Sequence, residues 1–181
     1  RVFLPLLRTL IPDMLDYHLP LFGCFHNCAC IQIDKSYPLQ ARRVMHAVWG
    51  AGQMAWTKMV VVVDADVDVH DEEAVMRALV EHCEFQRDLE MVNGPLDILD
   101  HAAPCLGAGS KVGFDATRPI PGEEVGGAPI DQLPRMPGIR TIQSSLKGLG
   151  GVRKTTVPSL GRGRMVFVEI EKTQAGDGMD A

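Results

Sequence analysis

The chain has 181 residues, a formal net charge of −5 and a hydrophobic content of 46%. That composition excludes a disordered chain, and the length suffices for a proper core without disulfide or metal staples. The acidic balance argues against a general electrostatic grip on nucleic acid, and no apolar run reaches the roughly 18–20 residues of a membrane span.

In chain order, Val2–Leu10 is an apolar stretch ended at Pro12. Cys28–Ile33 carries β-type residues and reads as a strand. Leu39–Trp56 places Val44, Met45, Val48, Ala51, Met54 and Ala55 at helical spacing behind Pro38. Lys58–Val63, four valines behind a methionine, reads as a strand buried on both faces. Asp71 stands as the N-cap of a helix over Glu72–Cys83, with Glu72 and Glu73 in its positive first turn. Asp88–Val92 is a short third strand, broken by Gly94-Pro95. Alternation of strand and helix predicts an α/β fold, a layered mixed or partly parallel sheet with flanking helices.

Composition changes near Arg118. Residues 119–181 hold 11 of the 18 glycines and 6 of the 12 prolines, and net charge moves from −6 over 1–118 to +1 beyond. The expected organisation is an α/β domain over 1–118 and a Gly/Pro-rich, loop-rich C-terminal extension over 119–181. Met165–Ile170 reads as an extra strand, pairing at a sheet edge or with a partner chain. Five cysteines, an odd count, fit free thiols in a reducing cytoplasm. Arg1–Leu7 lacks the pattern of a secretory signal. The chain opens at Arg1 in mid-pattern without an initiator Met, which raises the expectation of a fragment.

Several clusters bear on chemistry. The buried strand exits into Asp64-Ala65-Asp66-Val67-Asp68-Val69-His70-Asp71, at the kind of strand terminus where α/β sheets bind ligands. An EF-hand fails, because Val69 and Val75 occupy the glycine and bidentate-glutamate positions. Asp64-x-Asp66 also suits an Asp-nucleophile phosphatase of the haloacid-dehalogenase type, with Asp66 as acid/base and Mg²⁺ between the two. The plainer reading is a strand exit and helix N-cap with solvated acids. Cys24, His26, Cys28 and Cys30, spaced by two, share one face of a regular strand, but no second ligand pair follows for zinc. Gly107–Gly113 lacks the P-loop spacing and reads as a tight turn before a strand, with anion contact by backbone N–H groups left open. The basic stretch of Lys147, Arg153, Lys154, Arg162 and Arg164 reads as a solvated loop or as a phosphate or RNA contact.

Taken in order, several blocks resemble one family. They are Asp16-Tyr17-His18-Leu19-Pro20, Gly23-x-Phe25-His26-Asn27, Ile33-Asp34-Lys35-x-Tyr37-Pro38 and Ala41-Arg42-Arg43-Val44-Met45-His46-Ala47-Val48-Trp49-Gly50. Thr57-Lys58, Val63–Asp71, Gly94-Pro95-Leu96-Asp97-x-Leu99-Asp100-His101-Ala102 and Gly109–Thr117 complete the set. Over about 1–118 the chain is similar to the C-terminal domain of the UbiD family, non-oxidative decarboxylases of aromatic and α,β-unsaturated acids, many of which serve ubiquinone or menaquinone synthesis.

The resemblance implies prenylated FMN with Mn²⁺ and K⁺, bound mainly by an upstream domain that no part of this chain resembles. It implies catalytic groups upstream and none in this chain, so the chain alone is expected to lack activity. It implies a substrate-pocket wall at Leu19, Pro20, Phe22, Phe25, His26 and Leu96, contacts to the upstream FMN-binding domain, and a homo-oligomer. Leu21-Phe22 is more apolar than the Pro-Glu or Glu-Glu often found after Leu-Pro in the family. The alternatives are a non-catalytic assembly module or truncated paralogue and, third, the phosphatase.

Overall fold

A computed structural model describes residues 2–24, 27–85, 87–123, 138–147, 151–158 and 165–172. The chain divides into two compact units, Arg1–Ile130 and Asp131–Ala181. The first unit runs past the composition change at Arg118.

In the first unit α1 (Leu4–Leu10) precedes β1 (Met14–His18), and β2 (Cys28–Ile33) follows a short 3₁₀ turn at Leu21–Gly23. Next come α2 (Gln40–Trp49), a second 3₁₀ turn at Gly52–Trp56, β3 (Met59–Asp64), α3 (Glu72–His82), β4 (Leu89–Pro95) and β5 (Ala108–Asp115). The sheet order is β1-β2-β3-β5-β4. β2, β3 and β5 are parallel, while β1 on β2 and β4 on β5 are antiparallel. The mixed α/β sheet expected from the periodicity is the one observed.

The valine run explains how the layers form. Val60 and Val62 point into the core shared with α1 and α2, which includes Leu7, Ile31, Val44, Met45 and Val48. Val61 and Val63 point into the opposite core, with Val75, Ala78 and Cys83 of the α3 layer. A period of two on a strand covered by helices on both faces needs apolar residues at every position. Asp71 caps α3 by accepting from the N–H groups of Glu73 at 3.0 Å and Ala74 at 3.1 Å, so the acidic run ends as a helix cap.

Several boundaries differ from the sequence expectation. The helical spacing over 39–56 resolves into α2 and a separate 3₁₀ turn, because Gly50-Ala51-Gly52 intervenes and Gly52 takes φ +51°. β4 continues through Gly94-Pro95 instead of breaking there. It is an edge strand, where a missing proline N–H is tolerated. Gly107, at φ +71°, makes the turn, and Gly109–Gly113 lies within β5. β2 begins at Cys28, and Cys24 sits exposed in a left-handed conformation at φ +47°. The four-residue Cys/His face therefore does not form: only Cys28 and Cys30 share it, and His26 lies outside the described residues.

In the second unit α4 spans Ile139–Lys147, and β6 (Val152–Thr156) pairs antiparallel with β7 (Phe167–Ile170). The stretch expected to pair at a sheet edge or with another chain thus has a partner strand within its own unit. Among the described residues no helix is long and apolar enough to cross a membrane.

Candidate functional site

Parallel strands give the sheet two chemically different edges. At the carboxyl edge, where β2, β3 and β5 end, charges pair with one another, some buried and some exposed. Lys35, just beyond β2, has its ammonium 2.7 Å from a Glu123 carboxylate oxygen, 2.7 Å from Thr117 Oγ1 and 3.8 Å from Asp115. The Lys35 and Glu123 side chains are only 3% and 8% exposed. Glu123 also accepts from the N–H groups of Leu39 at 2.8 Å and Ile120 at 3.0 Å. The first of these holds Leu39 at φ +61°, a strained conformation for a bulky residue, just before α2. Burial pushes the Glu123 carboxyl up, but the Lys35 ammonium and the two N–H donors outweigh it and leave the group below its ordinary value. Asp115 goes the other way, because burial raises it and Lys35 and Thr117 compensate only in part.

A cavity of about 140 Å³ adjoins this cluster, lined by Leu39, Arg42, Arg87, Asp88, Asp115 and Glu123. Its charges are partnered: Arg87 with Asp88 at 2.6 Å, Arg42 with Glu90 at 3.0 Å, and Glu123 with Lys35. Beside it Arg118 closes the end of β3. Its backbone N–H donates to Asp64 at 2.9 Å, and its guanidinium pairs with Asp66 at 2.5 Å and holds that carboxyl below the usual range. The two carboxylates of the Asp-x-Asp motif are thus engaged by one arginine rather than presented as a free nucleophile and acid/base pair. Among the described residues no group of three His, Cys, Asp or Glu side chains is placed to hold a metal ion.

The amino edge, where the parallel strands begin, exposes several large apolar side chains around one ion pair. The connection from β1 to β2 and the connection from β4 to β5 both emerge here, because β1 and β4 run antiparallel to their neighbours. The first carries Leu19, packed against the α2-side core, then buried Pro20, and exposed Leu21 and Phe22. Gly23 locks this turn against β2: a Cβ there would lie 2.2 Å from Cys28 Cβ. The second connection carries buried Leu96, then Ile98, Leu99 and Leu106, all well exposed. Between the two lies the start of β3, so the connections stand about two strand spacings, roughly 10 Å, apart. Here Lys58 Nζ reaches Asp100 at 2.7 Å, and the Lys58 ammonium holds the Asp100 carboxyl below its ordinary value. Asn27 Oδ1 and Thr57 Oγ1, from the residues just before β2 and β3, are buried with no hydrogen-bond partner among the described residues.

The fold therefore brings Leu19, Pro20, Phe22 and Leu96 to one sheet edge, from two different connections. Phe25 and His26 lie outside the described residues. Sequence reasoning missed the buried Lys35–Glu123 pair, because Glu123 fell in the segment read as an extension. It also missed Lys111, read as part of a loop. Val112 and Phe114, apolar at a spacing of two, were the strand signal there, but they lie on the opposite face and leave the burial of Lys111 unmarked.

Residues 1–116 match the family model described as the 3-octaprenyl-4-hydroxybenzoate carboxy-lyase C-terminal domain. An uncharacterized protein of Archaeoglobus fulgidus is 45% identical over 119 residues, covering 65% of this chain and 25% of the relative. The UbiD-class enzyme HmfF from Pelotomaculum thermopropionicum, solved with FMN, matches with a TM-score of 0.59 and 29% identity, over 74% of this chain and 31% of that one. An evolved dimeric form of HmfF with prFMN matches with a TM-score of 0.52 and 26% identity, over 74% and 28%. Vanillic acid decarboxylase of Sedimentibacter hydroxybenzoicus, in closed form, gives 0.60 and 25% over 78% and 30%. The chain thus spans about a quarter of the length of the relative and under a third of each of these structures.

Proposed function

The chain belongs to the UbiD carboxy-lyase C-terminal domain family, and from that premise we propose that it is the C-terminal part of a non-oxidative decarboxylase of an aromatic or α,β-unsaturated carboxylic acid. The observation that carries the reading is that two connections with apolar side chains, around Phe22 and around Leu96, both emerge at the amino edge of the sheet, while the charges at the carboxyl edge pair with one another.

Leu19, Pro20, Phe22, Phe25, His26 and Leu96 form a wall of the substrate pocket in this reading. An apolar wall excludes water and disfavours a substrate carboxylate more than a transition state in which the charge is dispersed. Prenylated FMN, when bound, supplies the electron sink. The family resemblance assigns Mn²⁺, K⁺ and the catalytic groups to a flavin-binding part outside this chain. The same part of the protein and further copies of this chain are its partners, and a quinone pathway is one setting for the product. Five free thiols suit a reducing compartment such as the cytoplasm.

The test is CO₂ release from a panel of aromatic and unsaturated acids. We expect none from residues 1–181 alone, and release from a polypeptide joining them to a flavin-binding part and loaded with prenylated flavin. Phe22→Asp in the joined protein lowers kcat/KM at least ten-fold without loss of bound flavin. CO₂ release by the chain alone, or a loaded protein that binds the acids without decarboxylating any, refutes the reading. The latter result would favour an assembly module.

A further inference from the structure

A buried cation stands behind the proposed wall. Lys111 on β5 is only 2% exposed. Its ammonium donates to the carbonyl of Ala55, near the C-terminal end of the 3₁₀ turn Gly52–Trp56. Burial pushes its pKa down, and among the described residues no carboxylate pairs with it. Gly94 on β4 leaves room for this side chain, since a Cβ there would meet Lys111 Cε at 3.2 Å. A cation at the C-terminal end of a helical turn satisfies a carbonyl the turn leaves orphaned and suits the negative end of its dipole.

The turn leads through Thr57 to Lys58, whose ammonium reaches Asp100 at 2.7 Å. Asp100 lies in the connection between β4 and β5, and Ala102 N–H donates to its other oxygen at 3.0 Å. That connection begins at Leu96, which fits against β5 so closely that a Cβ at Gly109 would lie 2.8 Å from Leu96 Cδ1. A contiguous path therefore runs from Lys111 through the turn and Lys58 to the segment that carries one side of the wall.

We propose that Lys111 is a positioning residue for this wall: it fixes the 3₁₀ turn, thereby aims Lys58 at Asp100, and so holds the Leu96–Gly107 connection in place. The proposal rests on reading this edge as the substrate wall, but its first test does not depend on activity. Amide hydrogen exchange is compared between the 181-residue chain and its Lys111→Met variant. The expected result is at least ten-fold faster exchange over 52–58 and over 97–107, with β2 and α3 unchanged. Lys58→Met is expected to accelerate 97–107 alone. Uniform acceleration, or an unchanged 97–107, overturns the proposal. If Lys111→Met does not fold, Gly94→Ala, which crowds the lysine stem and keeps its charge, is read by the same two segments. In the loaded, joined enzyme Lys111→Met is expected to raise KM at least five-fold with kcat within two-fold. A fall in kcat with KM unchanged overturns the role. A loaded enzyme with no decarboxylation refutes the functional reading and leaves the exchange result to decide the path.

Discussion

Removing the ammonium of Lys35 strands Glu123 in a site where its side chain is 8% exposed. Breaking one partner of a buried ion pair costs about 3–5 kcal/mol, because the remaining charge keeps its desolvation penalty. A domain of this kind is stable by only about 5–15 kcal/mol. Lys35→Met is therefore expected to lower the urea midpoint by about 2 M at a slope of about 2 kcal/mol/M. Lys35→Met/Glu123→Gln leaves no glutamate charge to strand and keeps an acceptor for Leu39 and Ile120. It should be less damaged than the sum of the single variants, with a coupling of about 1–3 kcal/mol. Acid adds a second reading. A carboxyl whose folded pKa is depressed contributes fully above its unfolded value and loses that contribution as pH falls through the folded one. Glu123, with an ordinary value of 4.5, is such a group. Asp115, with a raised folded value, has the opposite sign: its contribution is largest when protonated and is lost as pH rises. Glu123→Gln should therefore flatten the loss of stability on acidification below about pH 4.5. A loss under about 1 kcal/mol for Lys35→Met, or additive single effects, refutes the view that this pair closes the carboxyl edge.

Two further outcomes follow from packing. A thiol reagent should modify exposed Cys24 and Cys105 in the folded chain and spare Cys28, Cys30 and Cys83 until denaturant is added. Burial pushes the Cys83 thiol up to about 12, and hydrogen bonding to Cys30 together with burial raises Cys28; rapid modification of all five would contradict this. Gly113→Val should destabilise by about 1–3 kcal/mol in thermal or urea unfolding, since overpacking forces neighbours off their rotamers. The added Cβ would lie 2.5 Å from Met45 Sδ and 3.2 Å from Trp49 Cη2, so an unchanged midpoint would show that α2 shifts freely on the sheet.

Local chemistry decided much of the fold in advance. Four consecutive valines require a strand covered on both faces, and Asp71 before Glu72-Glu73 dictates where α3 starts. The ordered blocks from Asp16 to Thr117 carried the family, because short motifs in one register constrain far more than any one of them. β1 stayed hidden: Met14 and Tyr17 are its buried residues, three apart, so it lacks the alternation of a strand and owes its pairing to β2. Gly94-Pro95 looked like a stop and was not, since the cost of a missing N–H depends on whether a neighbour strand needs it. The buried charges were the least legible. Lys35 and Glu123 are 88 residues apart, and nothing in either segment shows that the other will neutralise it. Lys111 gave the same difficulty, since a lysine between glycines reads as a solvated turn until the strand register places it under the Ala55 carbonyl. Sequence alone determined β2, β3, the start of α3 and the family, because those follow from neighbours along the chain. Which charges are buried, and which sheet edge exposes apolar side chains, depends on strand order and direction, and only the tertiary structure decided them.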